Sequence, residues 1–187
     1  MPYSSPIFDD KVKEVLNFLQ LGNLLDIGAG AGKYGELVKN LNIGIKTVAL
    51  EMEKDYIEKF KLKNIYDEVW NISANELMKP NYYENNFDII LMGDVIEHMK
   101  KSEGIDLINF LIYRSKWIII KFPHKYLQNS VEGYNSEAHL SVWSEKDFES
   151  FERTKIYKER DIHMIILKGY LKDKNSLADV AVIMEPK

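Results

Sequence analysis

Short apolar runs that alternate with amphipathic segments constrain the fold of this chain more than any other feature. Apolar residues recur at helical spacing in residues 9–21, where Val12, Val15, Leu16 and Leu19 share one face. Further helices are predicted over residues 34–41, 53–62, 105–113 and 144–151. The apolar runs between them predict buried strands over residues 23–27, 46–51, 65–70, 87–92 and 117–122. Strands alternating with helices imply βαβ units and a mostly parallel sheet covered on both faces.

The pattern changes after Pro123. Residues 123–142 read as a long loop, and loops of that length often carry function. Two β-rich runs then close the chain, at 162–170 and 178–184, and the polar stretch 172–176 reads as the turn of an antiparallel hairpin. We therefore expect an α/β, Rossmann-like doubly wound, mostly parallel seven-stranded sheet with an antiparallel C-terminal hairpin.

Composition narrows the class of protein. The chain has 187 residues, which suits one domain, and we place no boundary within 1–187. Its net charge is −4, its pI is about 5.6, and only three of its basic residues are arginine, so a nucleic-acid partner is not expected. Cysteine is absent, and no apolar run approaches the roughly 20 residues of a membrane span. The first residues lack the pattern of a signal peptide, which leads us to expect a cytoplasmic protein with no membrane association.

The most informative segment is the glycine-rich turn after the first predicted strand. Residues 28–32 read Gly-Ala-Gly-Ala-Gly and precede a predicted helix, so the backbone can approach a ligand closely there. Glu51 ends the second strand about 20 residues later, where a carboxylate can accept hydrogen bonds from ribose hydroxyls. These features indicate an adenosine-type cofactor.

A dinucleotide would require a different turn. The dinucleotide fingerprint has a third glycine at the position of Lys33. Asp26 stands two residues before the turn, where a carboxylate would repel a pyrophosphate and suit a cationic ligand. The alternative is that Asp26 only caps the turn and that the glycines serve packing.

These motifs resemble those of the class I S-adenosylmethionine-dependent methyltransferases. Residues 25–32, Leu-Asp-Ile-Gly-Ala-Gly-Ala-Gly, resemble the first motif of that family, and Glu51 resembles the acid of its second strand. Residues 87–99, Phe-Asp-Ile-Ile-Leu-Met-Gly-Asp-Val-Ile-Glu-His-Met, are similar to the fourth-strand motif of its small-molecule branch. Residues 137–144 resemble the segment before a late helix in that branch.

The resemblance implies S-adenosylmethionine as cofactor and assigns its contacts. Asp26 and the glycine turn would hold the methionine portion, Glu51 the ribose, and Met52 the adenine. The family often has an aspartate in its third-strand motif, whereas this chain has Ser73 or Asn71 for the adenine contact. The predicted cofactor-binding residues are Asp26, Gly28, Ala29, Gly30, Tyr34, Glu51, Met52, Ser73, Gly93 and Asp94.

Histidines are the candidates for catalysis. His98, His124 and His139 could each serve as a base if the acceptor must lose a proton. Each also has a structural alternative: His98 could bond the cofactor carboxylate or a backbone group, His124 could be an exposed loop residue, and His139 could orient the loop. His163 is expected to be structural. No metal site is expected, because no second carboxylate–histidine pair accompanies Glu97-His98.

The sequence thus predicts methyl transfer to an oxygen or nitrogen of a small or medium-sized acceptor. The rival hypotheses are an NAD-type Rossmann oxidoreductase and a non-catalytic scaffold that binds S-adenosylmethionine. Residues 123–143, with Tyr126, Tyr134 and Trp143 as an aromatic wall or as loop anchors, are expected to supply acceptor contacts. Residues 1–7 either cover the cofactor or fray.

Overall fold

The alternating apolar runs form one twisted sheet with helices on both faces. The computed structural model describes residues 3–124, 128–129 and 133–185. The strands are β1 (Asn23–Ile27), β2 (Lys46–Leu50), β3 (Glu68–Trp70), β4 (Phe87–Gly93), β5 (Ser115–Pro123), β6 (Tyr157–Glu159) and β7 (Ile162–Lys168). The α-helices are α1 (Asp9–Phe18), α2 (Lys33–Leu41), α3 (Lys54–Lys59), α4 (Lys101–Ile112) and α5 (Leu177–Met184).

The sheet has the predicted doubly wound topology. In the described parts of the chain its order is β3-β2-β1-β4-β5-β7-β6, with β1 to β5 parallel and β7 antiparallel to both β5 and β6. The chain order reverses between β1 and β4, which leaves a crevice outside the carboxyl ends of these strands. The predicted α/β class, the mostly parallel seven-stranded sheet and its antiparallel edge are confirmed.

Both faces of the sheet are buried. Leu25 and Ile27 belong to the apolar cluster on one face, and Leu24 belongs to the cluster on the other face, under α1. This arrangement explains why the central strands read as continuous apolar runs and not as alternating ones. Among the described residues, no helix is both long and apolar enough to span a membrane.

The prediction of a strand over residues 178–184 is wrong, because this segment is helix α5. Ser176 caps the helix: its hydroxyl accepts a hydrogen bond from the Asp179 amide, while the Asp179 carboxylate accepts one from the Ser176 amide. Val180 and Met184, one turn apart, are buried. The cap and this spacing prevail over the β propensity of the valines and isoleucine.

The antiparallel hairpin therefore lies earlier than expected. It joins β6 to β7 through Arg160 and Asp161, and residues 172–176 connect β7 to α5 without forming a hairpin turn. Other bounds also differ from the prediction. Helix α1 ends at Phe18 and not at residue 21, and α4 begins at Lys101 and not at residue 105. In the segment 53–62, which was predicted as one helix, the α-helix ends at Lys59. The helix predicted at 144–151 is a short 3-10 helix (Glu145–Phe148).

Candidate active site

The glycine turn lies at the switch point of the sheet, between β1 and α2. The amides of Gly28 and Ala29 donate hydrogen bonds to the Leu50 carbonyl at 2.8 and 3.1 Å, which ties the turn to the end of β2. Gly28 has a φ of +70°, and a Cβ added there would lie 2.6 Å from a Val95 methyl group. A side chain at this position would be strained and would clash with Val95, so the turn needs glycine here.

Glu51 joins the glycine turn to the end of β2. Its carboxylate accepts one hydrogen bond from the Gly30 amide and one from the Glu53 amide, both at 2.8 Å. The Asn71 side chain donates to the carbonyls of Glu51 and Met52 and so holds this corner from the side of β3. Burial raises the pKa of Glu51. Each carboxylate oxygen keeps a further acceptor position for a ligand in the crevice.

Asp26 lies beneath the turn and not at its surface. It is 1% exposed, and one of its oxygens accepts a hydrogen bond from the Tyr66 hydroxyl at 2.5 Å. That hydroxyl in turn accepts a hydrogen bond from the Gly35 amide in α2. Burial raises the pKa of Asp26 to about 7, so much of its negative charge is lost at neutral pH. The contacts of Asp26 fit a role in shaping the turn, and its predicted contact with the cofactor stays a prediction.

A cleft of about 280 Å³ opens at the carboxyl ends of β1, β2 and β4. Most of the predicted cofactor and catalytic residues line it: Gly28, Ala29, Gly30, Tyr34, Glu51, Met52, Gly93, Asp94, His98 and His139. Asp26, Ser73 and His124 do not line it. The structure thus brings the first and fourth sequence motifs to one cavity, as the topology requires.

Ser73 and His124 have other surroundings. Ser73 caps a short 3-10 helix (Ala74–Met78), and its amide donates to the Glu76 carboxylate at 3.0 Å. His124 stacks on His163 with ring centroids 4.4 Å apart, and its amide donates to the Asp161 carbonyl. The adenine contact of Ser73 and the catalytic role of His124 stay predictions, and these placements favour His98 and His139 as residues near the reaction.

Residues 3–5 cover one side of the cleft. The Asp94 carboxylate accepts hydrogen bonds from the Ser4 hydroxyl and from the Ser5 amide. The ammonium groups of Lys33 and Lys121 both donate to the Ser5 carbonyl. Tyr3, Ser4 and Ser5 all line the cleft. Of the segment 1–7, which was expected to cover the cofactor or to fray, residues 3–5 lie against the cleft, and residues 1 and 2 lie outside the described residues.

Lys121 contacts two residues that line the cleft, Asp94 and Ser5, and was not predicted as part of the site from the sequence. It follows three isoleucines in strand β5 and is 1% exposed, and its ammonium lies 3.5 Å from the Asp94 carboxylate. Burial lowers its pKa to about 8, although Asp94 acts in the opposite direction. A lone lysine within the run Ile-Ile-Ile-Lys-Phe was the signal that could have revealed it.

The stretch 133–139 contributes Ser136, Glu137 and His139 to the lining of the cleft and contacts the start of α3. The buried Glu137 carboxylate accepts a hydrogen bond from the Tyr56 hydroxyl at 2.9 Å, and the Ser136 hydroxyl donates to Glu53 at 2.7 Å. Tyr134 packs on Tyr56 with ring centroids 5.0 Å apart. Tyr126, named above as part of an aromatic wall, lies outside the described residues.

Trp143 anchors the end of this loop. It is fully buried, and its ring nitrogen donates to the Ile96 carbonyl at 3.0 Å. Of the two predicted roles of Trp143, the structure shows the anchor.

His98 and His139 meet in the cleft, beside Glu97. Their rings are in edge-to-face contact, with centroids 4.8 Å apart. His98 Nδ1 lies 3.2 Å from the Ala138 carbonyl. Burial and the neighbouring His139 lower the pKa of His98, which favours a neutral ring. Burial raises the pKa of the adjacent Glu97 well above its usual value.

Part of the chain matches the sequence model of a known family. A sequence model of the methyltransferase-domain family matches residues 25–106, the segment that contains the glycine turn, Glu51 and the β4 motif. No curated protein sequence matches the chain.

Solved structures of methyltransferases share the fold. An O-methyltransferase family protein from Burkholderia thailandensis superposes with a TM-score of 0.64 at 13% identity; the match covers 87% of this chain but only 55% of that protein. A S-adenosylmethionine-dependent methyltransferase from Clostridium acetobutylicum gives 0.63 at 14% identity, covering 86% and 90%. The N-methyltransferase NodS from Bradyrhizobium japonicum, in complex with S-adenosyl-L-homocysteine, gives 0.62 at 11% identity, covering 86% and 84%.

Proposed function

We propose that the chain is a class I S-adenosylmethionine-dependent methyltransferase that transfers a methyl group to an oxygen or nitrogen of a small or medium-sized acceptor. The matching family model and the shared fold support this proposal. The observation that carries the proposal is the shared cleft: the glycine turn, Glu51 and the end of β4 line one cavity with two histidines. We further propose that residues 1–187 act as a single domain.

The cleft has the chemistry that S-adenosylmethionine requires. The Glu51 carboxylate lies at the end of β2, where it can accept hydrogen bonds from the ribose hydroxyls. Met52 beside it is 53% exposed and offers an apolar surface to the adenine. One buried oxygen of Asp94 has no hydrogen-bond partner among the described residues, which suits the ammonium group of the methionine portion.

The bound cofactor supplies a methyl group on a positively charged sulfur, which is already activated for transfer. The residues of this chain therefore have to align the acceptor and exclude water. Residues 3–5 and the Ser136, Glu137 and His139 side chains line the cleft and reduce the space open to water. The lowered pKa of His98 favours its neutral ring, which donates its Nδ1 proton to the Ala138 carbonyl and offers its Nε2 lone pair to an acceptor that must lose a proton.

Cofactor binding is the first test. Titration calorimetry with S-adenosylhomocysteine should give one site, and a ligand concentration of 100 times Kd should add about 2.7 kcal/mol to the free energy of unfolding. Glu51→Gln should weaken binding, whereas Glu58→Gln, an exposed carboxylate on α3, should not. Stabilisation by NAD(H) without any by S-adenosylhomocysteine would instead support the oxidoreductase.

Methyl transfer is the second test. Purified chain should pass the radiolabelled methyl group of S-adenosylmethionine to at least one member of a panel of hydroxyl and amine acceptors. Tight binding of S-adenosylhomocysteine without transfer to any acceptor would instead support the non-catalytic scaffold.

A further inference from the structure

Three side chains with metal-ligating atoms converge in the cleft. One carboxylate oxygen of Glu97 and one ring nitrogen each of His98 and His139 all lie within 4.8 Å of one another. His139 is 41 positions from His98 in the chain, so the sequence alone did not place it beside the Glu97-His98 pair. Two imidazoles and one carboxylate form a donor set that first-row transition metals prefer.

Glu97 is the second observation that points to a cation. It is 2% exposed, and neither of its carboxylate oxygens accepts a hydrogen bond from another residue that the structure describes. Burying a carboxyl group without partners is costly, and buried carboxylates are generally paired or bound to a metal. Glu97 lines the cleft together with both histidines, so its oxygens can reach a bound ion.

His98 is oriented as a ligand. The Ala138 carbonyl can only accept, so the Nδ1 atom of His98 at 3.2 Å must carry the proton and donate. The neutral ring then has its free lone pair on Nε2. Metal-bound histidines typically make this second contact, which fixes the tautomer and the orientation of the ring.

The two segments that carry the ligands are held together by the backbone. The amides of Leu140 and Ser141 both donate to the Glu97 carbonyl, at 2.7 and 3.1 Å. The cluster therefore exists before any ion binds. The ligand atoms of a tetrahedral ion with bonds of about 2.1 Å lie roughly 3.4 Å apart. The three side-chain atoms, which lie within 4.8 Å of one another, would therefore have to move by about 1 Å to bind one ion.

We propose that Glu97, His98 and His139 bind a divalent transition-metal ion whose open coordination positions face the cleft and bind an oxygen of the acceptor. The role toward the acceptor rests on the proposed methyl transfer, whereas the metal site itself does not. A metal-bound hydroxyl loses its proton more easily, so such an ion would favour an oxygen acceptor over an amine. If the ion binds Nε2 of His98, that nitrogen has no lone pair left to take a proton, so His98 would be a metal ligand and not a base.

Metal titration tests the site without any assay of activity. After treatment with a chelator, the chain is titrated with Co²⁺, with calorimetry and visible spectroscopy as readouts. We expect one ion per chain and a loss of at least about tenfold in affinity for both Glu97→Gln and His139→Gln, since even outer partners of ligands contribute 10–100-fold. His163→Gln, in the other histidine pair, should bind Co²⁺ as the unaltered chain does.

The outcomes separate the two proposals. Circular dichroism and S-adenosylhomocysteine binding show whether each variant is folded. If the unaltered chain binds Co²⁺ but does not bind S-adenosylhomocysteine, the result would count against the proposed function and not against the metal site. Weak, non-stoichiometric Co²⁺ binding, or binding that only His163→Gln reduces, would overturn the metal site. A Co²⁺ spectrum that does not change when azide is added would show a closed site and overturn the role toward the acceptor.

Discussion

The ammonium group of Lys121 lies 3.5 Å from the carboxylate of Asp94, and both side chains hold the N-terminal segment over the cleft. Lys121 donates to the Ser5 carbonyl, while Asp94 accepts from the Ser4 hydroxyl and the Ser5 amide. Gly93 and Lys121 are paired in the register of β4 and β5, so the sheet itself sets this arrangement. The cover of the cleft is thus attached to the ends of two central strands.

Replacement of Lys121 by methionine should loosen this cover. The variant keeps a long apolar stem but loses the donor to Ser5 and the charge beside Asp94, so we expect faster amide hydrogen exchange in residues 4–7 and several-fold weaker binding of S-adenosylhomocysteine. The matched control is Lys116→Met, because Lys116 pairs with Asp88 at the opposite end of β5. Equal effects of the two substitutions would contradict a specific role of Lys121.

Asp26 should make the stability of the protein depend on pH. Its pKa is about 7 in the folded chain, against an ordinary value of 3.8, so between these pH values the folded chain holds a proton that the unfolded chain does not. The contribution of Asp26 to the free energy of unfolding therefore falls as pH rises from about 4 to 7, by at most about 1.4 kcal/mol per unit. Urea denaturation of the unaltered chain and of Asp26→Asn should show this difference.

The comparison with Asp26→Asn isolates one group. Burial also raises the pKa of Glu51 and Glu97, which act in the same direction, but both are present in the two proteins and cancel in the difference. A difference in stability that stays constant from pH 4 to 7 would show that Asp26 is not protonated in the folded chain.

Alanine at Gly28 should be more costly than alanine at Gly44. Both glycines have positive φ, +70° and +67°, but a Cβ at Gly44 meets nothing within 4 Å, whereas at Gly28 it meets Val95 at 2.6 Å. Gly44→Ala should therefore cost about 1 kcal/mol from backbone strain alone, and Gly28→Ala should cost more. Denaturant titration measures both, and Gly28→Ala combined with Val95→Ala should recover the steric part. Equal costs at the two positions would contradict the close approach to Val95.

His98 and His124 should differ in their effect on turnover. His98 lines the cleft, whereas His124 stacks on His163 outside it. Once an acceptor is identified, His98→Gln should lower kcat by roughly 10²- to 10⁴-fold if it takes a proton, with little change in the affinity for S-adenosylhomocysteine. His124→Gln should change kcat only slightly, and a larger effect from His124 would restore it as the catalytic candidate.

The parts of the fold that could be predicted are those set by local sequence. The apolar run before Gly28, the glycine turn and the acid that ends β2 lie within short segments, and parallel strands bring their carboxyl ends to one edge. The segment 178–184 was predicted wrongly because its valines and isoleucine favour a strand, while the hydroxyl of Ser176 and packing beneath α1 stabilise a helix.

The site required contacts that local sequence does not contain. The hydrogen bond between Asp26 and Tyr66 joins residues 40 positions apart, and the sequence did not indicate it; the contact of Asp26 with the cofactor stays a prediction. His139 reaches His98 only because the backbone of residues 140 and 141 bonds to Glu97. The burial of Lys121 in an apolar strand is explained only by its contacts with Asp94 and Ser5, which are distant in the sequence.

The two covering segments also bear on the pace of the reaction. Ser4 and Ser5 are bonded to Asp94, and residues 136 and 137 are bonded to Glu53 and Tyr56, so these bonds must open before either segment can move away from the cleft. In enzymes with such closures, release of product often limits the overall rate. A faster methyl-transfer step would then leave kcat unchanged. Substitutions that weaken the bonds of these two segments would raise kcat and lower the affinity for the cofactor.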